Sequence, residues 1–293
     1  MSGPRVLETE EYVEQAYFFR IFRERLAYNL PTQEILARIR DEILSSTQLP
    51  LAIDFLNTEL KHAGALGPGM EQISHYFTPY QAFVMRQAES DTSKFSMEFA
   101  LAVLEREAEY KSRTPTRPGL FVFQFETLCR NRLGYDVGLQ KIADDPQYDE
   151  DWRTWIRKLP LQLGTIDFAD LLYARSEFAQ LELRRRNSEH QPKYPVLFGE
   201  REGKIAKASR GKDPLFLFAA LQRQLAYPAV PRPTPADSTG NILLTLDRKL
   251  QQLEIRVKLL EGEVKGELDL SQFYVKPDKP ESPTQWKDGS SEF

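Results

Sequence analysis

LFVFQFETL, Leu120 to Leu128, decides the fold class of this chain. Phe121, Phe123 and Phe125 alternate, as the buried face of a strand does. The segment also aligns with an earlier stretch, residues 10–28, whose pattern is strongly helical. That stretch begins at Thr9, an N-cap type residue, followed by Glu10 and Glu11, which suit the positive end of a helix dipole. It carries Tyr12, Val13, Ala16, Tyr17, Phe18, Phe19 and Phe22, too much apolar surface for one narrow stripe, and so predicts a central buried helix stopping before Pro31. By the alignment, LFVFQFETL is helix as well, and the chain is all-α.

The alignment runs further. RERLAYN, Arg23 to Asn29, is answered by RNRLGYD, Arg130 to Asp136. In the same register Phe18 meets Phe125, Gln33 meets Gln140 and Ile35 meets Ile142. A second anchor pairs Ile53, Asp54 and Phe55 with Ile166, Asp167 and Phe168. A third pairs Phe99, Ala102, Leu104, Arg106 and Tyr110 with Phe216, Ala219, Leu221, Arg223 and Tyr227. The anchors keep their order, and their separation drifts slowly, from 107 (Arg23 to Arg130) to 113 (Ile53 to Ile166) to 117 (Phe99 to Phe216). Loop insertions account for such drift. A duplicated helical unit is therefore expected, with residues 8–114 as the first copy and 119–228 as the second, joined through RTPTRP, whose prolines cannot continue a helix.

Helix signals fill both copies. They predict helices over Thr32 to Leu44, from Pro50 to near Gly64, from Thr78–Pro79 to Ala88 and from Ser96 to Tyr110. In the second copy the predicted spans are 119–133, 137–143, 150–158, 167–186 and 214–226, the last opened by Asp213 and Pro214. FGEREGKIAKAS, Phe198 to Ser209, could turn as a hairpin near Gly203; its helical counterpart around Tyr80 to Ser90 favours helix. GALGPG, Gly64 to Gly69, reads as a helix-to-helix connection. It lacks the Lys-Ser/Thr ending of a phosphate-binding loop. In the recurring Arg-x-Arg-Leu-x-Tyr, Leu26 and Leu133 are expected to pack inward and the rest to cap a helix end with a packing aromatic. A ligand-contact role is the sharper but less economical reading. The Asp of Ile-Asp-Phe most simply caps or begins a helix.

Beyond the second copy lie a proline-rich linker, 229–240, a helix over 241–266 and a polar tail, 271–293, of disordered composition. In LLTLDRKLQQLEIRVKLLEGEV, Leu243, Leu246, Leu250, Leu253, Val257, Leu260 and Val264 follow a 3-4-3-4-3-4 spacing. That is the a/d seam of a coiled coil. The e positions Asp247, Glu254 and Glu261 are all acidic, and Lys249 and Arg256 stand at g. A parallel pair sets Lys249 against Glu254 and Arg256 against Glu261; an antiparallel pair sets acid against acid. A parallel homo-oligomer is expected, with back-packing on the chain's own body as the plainer alternative.

Composition narrows the function. The 293 residues are 41% hydrophobic and 28% charged, with a net charge of −4, and no apolar run approaches the ~20 residues of a membrane helix. The N-terminal residues lack a signal-like apolar core, and the single cysteine, Cys129, excludes a disulfide framework, so a cytoplasmic setting is expected. His62, His75 and His190 are isolated, without metal-ligand spacing. The acidic ADDPQYDEDW, Ala143 to Trp152, has a Pro and no Gly and departs from a calcium loop. No cofactor, metal or catalytic constellation is expected. One basic concentration stands out in residues 184–212: Arg184, Arg185, Arg186, Lys204, Lys207, Arg210 and Lys212, with Lys193 and Arg201, opposed only by Glu189, Glu200 and Glu202. The leading expectation is a non-catalytic cytoplasmic scaffold or adaptor that self-associates through its C-terminal helix and binds a protein partner. The competing one is a nucleic-acid or phosphate-ligand binder using that basic segment.

Overall fold

A computed structural model describes residues 5–28, 30–90, 95–187 and 191–232. Met1–Pro233 forms one compact unit, and its described residues are all-helical. The helices are α1 (Thr9–Leu26), α2 (Thr32–Glu42), α3 (Leu49–Ala63), α4 (Gly67–Gln72), α5 (Pro79–Glu89), α6 (Met97–Ser112), α7 (Arg117–Asn131), α8 (Tyr135–Ala143), α9 (Glu150–Gln162), α10 (Phe168–Ala174), α11 (Glu177–Arg186), α12 (Glu200–Ser209) and α13 (Pro214–Leu225). Two isolated β-bridges, Leu163 to Ile166 and Ser176 to Phe198, are the only extended pairings among the described residues. No helix there is long and apolar enough to cross a membrane.

LFVFQFETL is the heart of α7, and every residue from Gly119 to Leu128 is buried. Its alternation has a helical explanation. Phe121 and Phe125 lie four residues apart, so they share a face and stack with ring centroids 5.8 Å apart and 6° between planes. Phe123 points the opposite way, to Tyr227 at 6.4 Å. An apolar residue at every second position is what a helix needs when protein surrounds it on all sides. Phe121 is the hub of an aromatic cluster with Trp152, Trp155, Phe168 and Phe198.

Local signals explain most helix starts. Thr78 accepts from the Gln81 amide while the Gln81 side chain accepts from the Thr78 amide, a complete capping box with Pro79 in the first turn. Asp149, Asp167, Ser176 and Asp213 cap α9, α10, α11 and α13 through side-chain oxygens. Ser96 stands at the start of α6 but makes no such bond. Gly64 ends α3 in the left-handed conformation, φ 71°. The span predicted as one helix over 167–186 is two. Ser176 breaks it by capping α11, and Leu197 and Phe198 donate their amides to the Arg175 carbonyl. Phe198 to Ser209 contains helix α12, in which Gly203 is a close-packing site: an added Cβ would run into the Ser176 hydroxyl.

The order of packing is similar in α1–α6 and α7–α13. The first helix of each half lies against the last, α1 on α6 and α7 on α13. Each first helix also touches the second, each second the third, and the last three pack in succession. The halves meet through α6 with α7 and α5 with α8. Ala229–Arg232, the start of the proline-rich segment, lies on this body. Asn131 donates to the Pro231 carbonyl at 3.1 Å, Arg106 donates to the Ala229 carbonyl, and Val230 is buried.

A charged cluster is sealed into the junction of the halves. Lys111 Nζ on α6 lies 2.8 Å from Asp145 Oδ2 and 3.1 Å from Glu107 Oε1, and all three side chains are fully buried. Gln124 on α7 donates to Glu107 at 2.7 Å and accepts from Tyr148 at 2.8 Å. Burial pushes the Glu107 carboxyl above its ordinary range. Burial alone would lower the Lys111 ammonium, but Asp145 and Glu107 together hold it above its usual value. Such a cluster contributes little net stability, yet loss of one partner strands the others in a dry interior.

Candidate functional site

An apolar concavity of about 760 Å³ lies in the second half. It forms where two helices, α7 and α9, end and three begin. The end of α7 supplies Phe125, Cys129 and Arg130, and the start of α8 supplies Tyr135 and Asp136. Pro160 and the turn Leu163–Phe168 carry α9 into α10, and Asp213, Pro214, Leu215 and Phe218 open α13. The floor is apolar, with Phe125, Phe168 and Phe218 buried and their rings 4.6–6.1 Å apart. Tyr135, Ile166 and Leu215 are exposed at its rim.

Several of its polar groups are committed to structure. Asp167 accepts from the Ala169 amide with one oxygen and from the Gly211 amide with the other. Asp213 accepts from the Leu215 amide at 2.8 Å. Arg130 pairs with Glu126 on its own helix, and Glu126 also accepts from the Tyr227 hydroxyl at 2.6 Å. The Cys129 thiol is pushed up to about 12 by burial, with nearby Glu126 adding to the effect, so it is protonated at neutral pH and a poor nucleophile. No histidine lines the pocket. Among the described residues no group of three or more metal-ligating side chains gathers anywhere.

Two sequence anchors therefore meet in one place. RNRLGYD contributes Arg130, Tyr135 and Asp136, and Ile166–Asp167–Phe168 contributes all three of its residues. Their first-half counterparts behave differently. Arg23 pairs with Glu105 on α6 at 2.7 Å. Asp54 lies inside α3, exposed, 3.2 Å from Arg40, and caps nothing, so the capping expected of Ile-Asp-Phe holds for Asp167 alone. Leu26 and Leu133 do pack inward. The aromatic that follows does not: Tyr28 is 77% exposed and Tyr135 51%, because each sits beyond the helix that would have covered it.

The basic segment is folded so that part of its charge is matched. Lys207 pairs with Glu182 and Arg210 with Asp170, each at 2.5 Å, and Lys204 pairs with Glu200 at 2.6 Å. Glu182 and Asp170 lie outside the 184–212 window, and only folding brings them in. Lys204 and Lys207 also sit 5.5 Å from the Phe178 ring, and Arg210 4.1 Å from that of Tyr173. Arg184, Arg185 and Arg186 form the last turn of α11, where cations suit the helix dipole. Among the described residues these three and Lys212 have no carboxylate within ion-pair distance. The heptad residues Leu243, Leu246, Leu250, Leu253, Val257, Leu260 and Val264 lie outside the described residues. No family model, no curated protein and no solved structure matches this chain.

Proposed function

We propose that this protein is a non-catalytic cytoplasmic scaffold or adaptor, built from a duplicated helical unit and self-associating through Leu243–Val264. The observation that carries the binding role is the apolar pocket of the second half. It is of the size that accepts ligands, its floor is aromatic, and it contains no nucleophile–base pair. The heptad spacing and its charge pattern support the self-association and favour a parallel arrangement. Multiplying a modest binding surface by oligomerisation raises avidity without new contacts. The duplication is supported by the matched order of helix packing and by equivalent buried positions: Phe18 with Phe125, Ile35 with Ile142, and Leu104 with Leu221.

Light scattering on the full chain tests the assembly. The expected result is an oligomer that becomes a monomer when Leu250 and Leu253 are both changed to Asp. A wild-type monomer at tens of micromolar would sink it.

The second reading, binding of nucleic acid or phosphate groups through the basic segment, is favoured by the Arg184–Arg186 run, which has no described carboxylate within ion-pair distance. It predicts RNA or DNA binding that weakens steeply with salt and is lost on reversal of Arg184, Arg185 and Arg186 to Glu. No binding at low salt removes it.

A further inference from the structure

The rim of the pocket selects its occupant by charge. Asp136, Asp167 and Asp213 stand around the apolar floor, and the one cationic side chain in the lining, Arg130, is already paired with Glu126. Three helices, α8, α10 and α13, begin at this pocket, and helix N-termini ordinarily attract anions. Here each start already holds its own aspartate, in the first turn of α8 and at the N-caps of α10 and α13. A helix start carries roughly half a unit of positive charge, so three full negative charges outweigh three starts. Among the lining side chains the balance is negative over an apolar floor, with Lys212, next to Asp213, outside the lining. Asp136 has no hydrogen-bond or ion-pair partner among the described residues, so its charge is free to act on a ligand.

We propose that this pocket docks a segment of a partner protein that seats large apolar side chains over the floor of Phe125, Phe168 and Phe218 and flanks them with lysine or arginine. The apolar side chains supply affinity by burying the exposed rim of Tyr135, Ile166 and Leu215. The flanking cations meet Asp136 and Asp213 and supply selectivity and encounter rate rather than most of the binding energy. This inference rests on the adaptor reading, because it names the chemistry of what is adapted. It does not depend on how many copies assemble.

A random dodecapeptide library displayed on phage, selected against the immobilised full-length chain, tests it without presuming a sequence. Recovered peptides are expected to carry a large apolar residue with lysine or arginine on either side. Resynthesised and measured by fluorescence anisotropy, they should lose at least ten-fold in affinity on Ile166→Lys, which puts a cation at the mouth. They should lose about three-fold on Asp136→Asn or Asp213→Asn, and asparagine keeps the capping oxygen at the latter, so the helix start is preserved. Saturating peptide should also slow alkylation of Cys129, the only cysteine in the chain and part of the pocket wall. The proposal is overturned if selection yields acidic or uncharged peptides, if their affinity ignores Ile166→Lys, or if no peptide is recovered. Light scattering on the same sample separates the two claims: an oligomer that selects no such peptide removes the docking proposal and leaves self-association standing.

Discussion

In the first half Arg23 reaches from α1 across to Glu105 on α6, whereas the matching Arg130 stays on α7 and pairs with Glu126 one turn back. The first pair joins two helices directly; in the second the arginine stays on its own helix, only Glu126 reaching out to Tyr227, and the pocket opens beside it. The second anchor diverges in the same sense. Asp54 is an exposed mid-helix residue, whereas Asp167 starts a short helix, α10, that contributes a wall of the pocket. A cavity in the first half, beside Arg5, Glu11 and Gln48, is about 250 Å³. Two stretches with matching residues can thus reach different ends, because a side chain acts through what the fold puts next to it.

The largest expected effect concerns the junction. Lys111→Met leaves Glu107 and Asp145 buried without their cation, and should destabilise the body by about 3–5 kcal/mol in urea unfolding. If the halves are held as one body through this cluster, the variant should also broaden or split the unfolding transition. A loss under about 1 kcal/mol would mean that the halves stand independently of it.

The second effect is pH-dependent. The buried Glu107 carboxyl titrates above its ordinary 4.5, so the folded state holds a proton that the unfolded state releases first. Stability from this group is full below the ordinary carboxylate range and falls as pH rises toward the folded value. The slope is at most about 1.4 kcal/mol per pH unit for one proton. Denaturant midpoints measured upward from pH 4 should fall in the wild type by more than in Glu107→Gln, which cannot titrate. Parallel curves would refute the assignment.

The smallest effect sharpens the contrast most directly. Ser96 and Asp213 occupy matched positions, yet only Asp213 bonds its helix. Asp213→Ala should lower stability by about 1 kcal/mol and Ser96→Ala by under about 0.5, read as shifts in thermal midpoint. Equal losses would show that the two starts are built alike.

Much of the fold was legible because helices announce themselves locally. Pro50, the Thr78–Pro79 pair and Asp213–Pro214 mark starts, Gly64 marks an end, and the apolar density of residues 12–22 marks a buried helix. The break at Ser176 was not legible, since it depends on Phe198 arriving from over twenty residues away to pair with the chain there. Part of the charge balance of the basic segment was hidden for the same reason. A window along the chain cannot see Asp170 and Glu182 folding back onto Arg210 and Lys207.

The amino-acid order by itself determined that the described body is helical and where most helices begin, because capping, proline and apolar spacing act within a turn or two. Only the tertiary structure decided that α7 is surrounded on every side, that Lys111 shares a dry junction with Glu107 and Asp145, and that three helix starts enclose an apolar, acid-rimmed pocket. Each of these is a meeting of residues tens of positions apart, and burial and Coulomb energy depend on distance in space, not on distance along the chain.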